Sequence, residues 1–349
     1  MRAVQIGERF IGHGHPCFLV AEIGINHNGD LDLARRMIDA AADAGADAVK
    51  FQNYRTEDFI ADRSMTYEYT SAGKRVTETQ HDLFKRNELS LDQLAYLNDH
   101  CKRRNMVFFS TPTNVQGIEA LIRLGVPLLK NGSDYLTHLP LIQAMAQSGL
   151  AVVISTGMAT LAEIDDAVRA FRGAGGQDFI LLHCVSTYPV PPEDVNLRKI
   201  PALATAFGCP VGFSDHTKGV VAAIGAVAVG GCMIEKHFTL DRNLPGPDHY
   251  FSATPEEFVA LAESVRTMEK CLGESTVGPA YSELVGKQDF RLSCVAAEDL
   301  RRGHLLEGKD IQFSRPGSGL PPKAADGLLG RRLKHRVPRG HVFEMEDFG

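Results

Sequence analysis

A (β/α)8 TIM barrel followed by a small, mostly β module is the fold this sequence predicts. Eight short apolar runs, rich in β-branched residues, recur at 18–24, 47–52, 107–112, 128–133, 151–157, 180–189, 211–216 and 232–239. Each run finishes in polar or ionisable residues at its C-terminal end, and helical patterns fill most of the intervals between them. A barrel of this type performs its chemistry on the face built from strand C-termini. One such run is no more than a core strand. Eight with the same polarity at the same end point to an enzyme.

Taken in order, the strand ends supply Glu22, then Lys50 and Gln52, then Ser110 and Thr111, then Lys130 and Ser133. Ser155 and Thr156, Ser186 and Tyr188, Ser214 and His216, and finally Lys236 and His237 complete the set. The first helix opens at the turn Asn28-Gly29-Asp30. Leu31, Ala34, Met37, Ile38 and Ala41 then recur at helical spacing until Gly45 stops it. Further helices are expected near 92–104, 115–124, 138–148, 161–172, 218–229 and 255–272. The interval 53–90 is unusually long and polar, with Tyr54, Tyr67 and Tyr69. A long loop after a barrel strand lies over the active site, so this one is expected to shape substrate choice.

The barrel pattern fades near Gly273. The expected domains are a barrel over 1–274, a linker over 275–290 and a compact module over 291–349. The module shows strand-like pieces at 292–296, 311–314 and 341–344 between Gly/Pro turns such as Arg315-Pro316-Gly317. About sixty residues is small for independent stability.

The 349 residues suit a barrel with a small partner, and 44% hydrophobic with 23% charged content is ordinary for a globular chain. A net charge of −6 argues against a general nucleic-acid binder. It is unevenly spread: residues 285–349 hold 12 Lys/Arg against 9 Asp/Glu, so the module is basic and the barrel acidic. The seven cysteines (Cys17, Cys101, Cys184, Cys209, Cys232, Cys271 and Cys294) are scattered, with no CxxC, so neither a zinc ribbon nor a disulfide framework is indicated. Cys184 and Cys232 read as small buried apolar groups. No signal peptide and no apolar run of 18 residues is present, so a soluble, cytoplasmic protein with no membrane partner is expected.

Two pairs carry the chemistry. His216 and His237 close neighbouring strands, which brings two imidazoles within reach of one divalent metal and leaves positions open for substrate and water. Glu22 faces them across the mouth. His183 reads as packing, and His13, His15, His27, His249 and His304 have no spacing that forces a role. Lys50 and Lys130 end otherwise apolar strands, where a lysine is costly unless it meets an anion. For either lysine alone, a structural ion pair or a Schiff base stands as an alternative; the histidine pair favours metal chemistry. With Thr111, Ser133, Ser186 and Ser214 nearby, the mouth suits a small phosphorylated acid.

The motifs are similar to a known family. Ala21-Glu22-Ile23-Gly24-Ile25-Asn26-His27-Asn28-Gly29-Asp30, Val49-Lys50-Phe51-Gln52, Ser155-Thr156-Gly157-Met158 and Gly212-Phe213-Ser214-Asp215-His216 resemble the N-acetylneuraminate (sialic acid) synthases. So do Glu235-Lys236-His237-Phe238-Thr239-Leu240-Asp241 and Gly246-Pro247-Asp248-His249. The C-terminal module resembles that family's antifreeze-like (SAF) domain. The match runs through nearly the whole chain in order, with 53–90 the poorest part.

The resemblance implies condensation of phosphoenolpyruvate with an N-acylmannosamine-type aldose to a nine-carbon 2-keto sugar acid, with release of phosphate. It implies that His216 and His237 hold the divalent metal, manganese in preference to magnesium or cobalt. Lys50, Thr111, Lys130, Ser133, Ser186 and Ser214 would hold phosphoenolpyruvate. Glu22, Gln52, Tyr188 and Asp248 would contact the sugar, with Glu22, Lys50, Lys130 and Tyr188 as the catalytic set. Phe290 and Arg315 would close the site, and the family's arrangement is a homodimer in which each module caps the partner's barrel.

Two departures bear on the sugar. Asp134-Tyr135 stands where the family has Gly-Glu, and Ser186 stands where Asn is common. A legionaminate-type or 9-phosphate-forming synthase, or another phosphoenolpyruvate-dependent or metal-dependent aldol-type barrel, is the alternative enzyme. A carbohydrate- or ice-binding module on an inert barrel is the non-enzymatic one, and the intact histidine and lysine pairs argue against it.

Overall fold

The structure, a computed structural model, describes residues 2–349 and divides into two units, Met1–Gly273 and Glu274–Gly349. The first is the barrel. Its strands are Phe18–Gly24, Ala48–Asn53, Val107–Pro112, Leu128–Asn131, Ala151–Ser155, Phe179–Cys184, Val211–Asp215 and Met233–His237. All are parallel, and the eighth pairs with the first, so that His237 sits opposite Glu22. The seam lies between the third and fourth strands, which run side by side with no ladder among the described residues.

Strand alternation sorts every side chain to one of two cores. One parity (Leu19, Ala21, Val49, Phe51, Leu129, Ile154, Leu181, Phe213, Ile234) packs outward against the helices. The other fills the barrel: Phe18, Val20, Ala48, Phe109, Leu128, Val153, Ile180, Leu182 and Met233 form its apolar floor. Gly212 belongs to this inner parity, and a Cβ there would meet the Met233 carbonyl at 2.5 Å and Leu182 at 2.7 Å. One step further along each strand the same parity brings the ionisable residues inward. The floor is sealed from below by a hairpin that sequence reading did not find, Val4–Ile6 with Arg9–Ile11, which adds Val4, Ile6 and Ile11 to the inner core.

The expected helices are present, at Leu31–Asp43, Leu91–Arg103, Val115–Arg123, Leu139–Gln147, Leu161–Gly173, Val221–Ala228 and Pro255–Leu272. Asp30 caps the first through Asp32 N and Leu33 N, and Ser90, Thr160 and Thr254 form capping boxes with Gln93, Glu163 and Glu257. An unanticipated helix, Lys199–Phe207, follows the sixth strand. Pro201 lies in its first turn, where a missing N–H costs nothing, but in a nine-residue segment that proline masks the pattern.

The interval 53–90 is structured rather than a loop. It holds a short helix Thr56–Phe59, an antiparallel hairpin Thr66–Ser71 with Lys74–Thr79, and a helix Gln80–Asn87. The hairpin turns at Ala72-Gly73, both with positive φ (47° and 75°). Tyr54, Phe59 and Phe84 meet edge to face, and with Ile25 and Leu83 they form a small core beside the barrel mouth.

In the second unit, Ser293–Ala296 pairs with Ile311–Ser314 over a core of Cys294, Leu300, Leu306, Leu328, Leu333, Val337, Phe343 and Phe348. The expected strand at 341–344 is only an isolated bridge, Val295 to Val342. The segment read as a linker is partly ordered, with a 3-10 turn Tyr281–Glu283 running into the helix Leu284–Phe290. It groups with this unit.

Candidate active site

The inward parity opens at the strand C-termini into a cavity of about 410 Å³. Its floor is two buried ion pairs. Lys50 Nζ lies 2.9 Å from Glu22 Oε1 and donates to Thr111 Oγ1 at 3.1 Å. Lys130 Nζ lies 3.3 Å from Glu235 Oε1, which also accepts from Ser214 Oγ at 2.9 Å. All four charged side chains are almost fully buried. Burial pushes the Glu22 carboxyl up to about 7 against the pull of Lys50. Burial would raise Glu235 as well, but Lys130 and Lys50 outweigh it and hold that carboxyl well below the usual range. Glu22 Oε2, Glu235 Oε2 and Ser155 Oγ are buried with no hydrogen-bond partner. Such oxygens are costly unless a ligand uses them.

Glu235 is not among the sequence candidates, its ionisable neighbours Lys236 and His237 masking it. Parity was the available signal, since Glu235 and His237 are two apart and share a face. Lys236 takes the opposite face and is no site residue: its Nζ pairs with Asp215 Oδ2 at 2.8 Å and donates to the Thr217 carbonyl at 2.5 Å. His183 is packing, as expected, stacked on Phe213 with Nε2 2.6 Å from the Val195 carbonyl. His27 and His249 are buried in local hydrogen bonds, to Gly29 N and to Thr239 Oγ1.

His216 and His237 stand together at the mouth, ring centroids 5.4 Å apart. His216 Nδ1 lies 2.8 Å from the Val185 carbonyl, which can only accept, so the proton sits on Nδ1 and Nε2 keeps its lone pair. Burial lowers its pKa to about 4, and burial together with the neighbouring His216 holds His237 well below the usual imidazole range, so both rings are neutral. His237 Nδ1 is buried without a hydrogen-bond partner, 3.7 Å from Asp248 Oδ2. Two neutral imidazoles, one oriented by a backbone carbonyl, with a carboxylate alongside, fit a divalent metal.

Beside them the fifth strand turns at Gly157. A Cβ there would lie 2.3 Å from Ser186 Oγ, 2.7 Å from Ser133 Oγ and 2.8 Å from Cys184 Sγ. Ser133 Oγ accepts from Gly157 N at 3.0 Å, and Met158 follows with a positive φ of 63°. The sequence requires glycine here to let two hydroxyls and a thiol converge. Cys184, expected as a small buried apolar group, is buried and also lines the cavity, a part the sequence does not signal.

The outer wall carries Gln52, Tyr188, Asp248, Tyr67, Asp134 and Tyr135. Tyr188 lies against His216, centroids 4.2 Å apart. Burial raises the Asp248 carboxyl to about 7 and also raises that of Asp134. Asp134 therefore brings a carboxyl to the wall where the expected Gly-Glu pair is absent. Tyr67 comes from the hairpin of the 53–90 insertion and was not singled out as a ligand group. Phe290 and Arg315 lie together in the second unit, the guanidinium 5.1 Å from the ring centroid and Nε donating to the Phe290 carbonyl at 3.2 Å.

Comparison with known proteins fits this geometry. The sequence model of the NeuB family matches residues 37–277, and that of the SAF domain matches 293–348. The chain is 39% identical over 333 residues to N,N'-diacetyllegionaminic acid synthase of Legionella pneumophila, covering 94% of each chain. It is 34% identical to N-acetylneuraminate-9-phosphate synthase of Homo sapiens, covering 93% of this chain and 90% of that one. Among solved structures it is similar to the N-acetylneuraminic acid (sialic acid) synthetase of Leptospira borgpetersenii. There the identity is 38% and the TM-score 0.74, covering 82% of this chain and 95% of that one.

Proposed function

The chain belongs to the NeuB family of sialic, legionaminic and pseudaminic acid synthases, and we propose that it condenses phosphoenolpyruvate with an N-acylated mannosamine-type aldose. The product is a nine-carbon 2-keto sugar acid, with inorganic phosphate released. The observation that carries this reading is the convergence of two buried Lys–carboxylate pairs and two neutral histidines on one cavity.

Lys50 and Lys130 hold the carboxylate and phosphate, with Thr111, Ser133, Ser186 and Ser214 donating hydroxyls. His216 and His237 would hold a divalent ion, manganese in preference to magnesium or cobalt, and such an ion would supply Lewis-acid polarisation of the open-chain aldehyde. The C3 carbon of phosphoenolpyruvate forms the new bond to the aldehyde carbon, and water adds at C2. The C2–O bond then breaks and phosphate leaves with the bond's electrons. Glu22, with a carboxyl near 7, takes or returns the hydroxyl proton. Tyr188, Gln52 and Asp248 position the sugar, and the second unit's Phe290 and Arg315 close the site from the partner chain of a homodimer. A legionaminate-type sugar is the second reading, favoured by the Legionella relative.

The test is phosphate release from phosphoenolpyruvate across a panel of N-acetylmannosamine, its 6-phosphate and diacetamido-trideoxy aldoses, run in isotopically labelled water. The label is expected in the sugar acid and not in the phosphate. No release with any N-acylated aldose, or activity that survives exhaustive chelation, overturns the reading.

A further inference from the structure

The second unit holds a cluster of ligating side chains that the proposed reaction does not use. His335 Nε2 lies 2.8 Å from Asp347 Oδ1, and His341 Nε2 lies 2.9 Å from Asp347 Oδ2. The two rings stand almost perpendicular, at 88°, with centroids 6.3 Å apart. One ligating atom from each residue lies within 4.8 Å of the other two. A tetrahedral ion at its usual ligand distances holds N and O atoms roughly 3.3 Å apart, so a small adjustment of two imidazoles admits one.

The scaffold, not the ligands, sets this spacing. Each ligand lies within two residues of a side chain anchored in the core: His335 before Val337, His341 before Phe343, Asp347 before Phe348. Bridges from Val295 to Val342, Leu300 to Val337 and Leu333 to Phe348 tie these stretches to the rest of the unit. Asp347 is itself oriented, since Oδ2 also accepts from Glu344 N at 2.8 Å. Its carboxylate is buried while His335 is half exposed, which leaves a path for an ion from solvent.

We propose that His335, His341 and Asp347 form a divalent-metal site, with zinc the best match. Two imidazoles and one carboxylate are a zinc-type donor set, and the fourth position is left to water. Its effect is mechanical. The ion clips residues 335–347 onto a small module whose apolar core is correspondingly limited.

The competing account is a His–Asp–His hydrogen-bonded bridge with no ion. The two separate in the full-length chain with zinc alone as probe. His216→Ala/His237→Ala serves as the background, so that the barrel pair contributes nothing to the count. After equilibrium dialysis against buffered zinc, this background is expected to retain one zinc per chain, and adding His335→Ala/His341→Ala removes it. His335→Gln keeps a side-chain donor for Asp347 but loses the ligand, so it too should lose the zinc and the zinc-dependent rise in Tm. A background that binds no zinc, or a His335→Gln variant with undiminished zinc content and Tm response, overturns the proposal.

Discussion

Lys130 and Glu235 face each other across the barrel from the fourth strand to the eighth, Nζ 3.3 Å from Oε1, with both side chains only 5% exposed. Glu235 also lowers the energy of Lys50's charge, while Lys50's own partner, Glu22, is pushed up to about 7. Near neutrality, then, two lysines face one firmly ionised carboxylate and one carboxyl whose charged form burial disfavours. The floor is left with a positive surplus that a phosphate or carboxylate can satisfy.

Glu235→Gln strips Lys130 of its buried counter-charge. Breaking such a pair from one side is expected to cost about 3–5 kcal/mol of stability. Replacing both partners with apolar residues, as in Lys130→Met/Glu235→Leu, should restore most of that while leaving turnover lost. Urea unfolding of the two variants beside the unmodified protein reads the difference. A Glu235→Gln chain as stable as the unmodified protein would show that the pair carries no such coupling.

Gly157→Ala places a methyl against Ser186 Oγ, Ser133 Oγ and Cys184 Sγ. These are side-chain ends and can move, so the fold should survive while the hydroxyls lose their aim. With roughly 0.5–1.5 kcal/mol per hydrogen bond, the KM for phosphoenolpyruvate should rise about tenfold. The sugar KM should hold. Steady-state kinetics with each substrate varied in turn checks this, and an effect confined to the sugar would place these hydroxyls elsewhere in the reaction.

Glu22 gives a pH prediction with a definite sign. Its folded pKa is about 7 against an ordinary 4.5, so the native state keeps a proton that the unfolded chain has released. Stability from this group is therefore fully present below about 4.5 and is lost as pH rises through 7. Glu22→Gln removes the slope, whatever constant cost the loss of Lys50's partner brings. The difference in unfolding free energy between the two proteins, followed from pH 4.5 to 8, should change through that window. A flat difference would mean that Glu22 titrates normally.

Much of this was legible in the sequence, for one physical reason. Barrel strands alternate strictly, so a run such as Val49-Lys50-Phe51-Gln52 announces both its outward core residues and its inward polar ones. Lys50, Gln52, Thr111, Lys130, Ser133, Ser186, Ser214, His216 and His237 all line the cavity. Parity was not carried through the ionisable triplet Glu235-Lys236-His237: alternation puts Glu235 and His237 on one face and Lys236 on the other, and the register with the neighbouring strands agrees. The hairpin at 66–79 was illegible for another reason. Its strands are half exposed and polar, so they lack the apolar alternation that marks a strand, and they are held by backbone pairing and the Ala72-Gly73 turn. An ion pair for each lysine stands in the sequence only as an alternative without named partners, because Glu22 and Glu235 reach Lys50 and Lys130 only once the sheet has closed.

Arg315 is expected to serve the active site of a second chain. Its guanidinium rests on Phe290, and the two residues flank the paired strands Ser293–Ala296 and Ile311–Ser314 of a basic module, a rigid presentation for a group that must reach an external ligand. A closed two-fold dimer with exchanged modules is a low-cost way to deliver it. His237→Ala and Arg315→Ala should each be inactive alone. Refolded together at equal concentration, about half the dimers are hybrid under random pairing. In a hybrid with exchanged modules, the chain with intact His237 is capped by the chain with intact Arg315, so one of its two sites is complete and about a quarter of all sites work. If each module caps its own barrel, every site lacks one group. A mixture that stays inactive while sedimentation shows dimers would therefore place Arg315 at its own chain's site or at none.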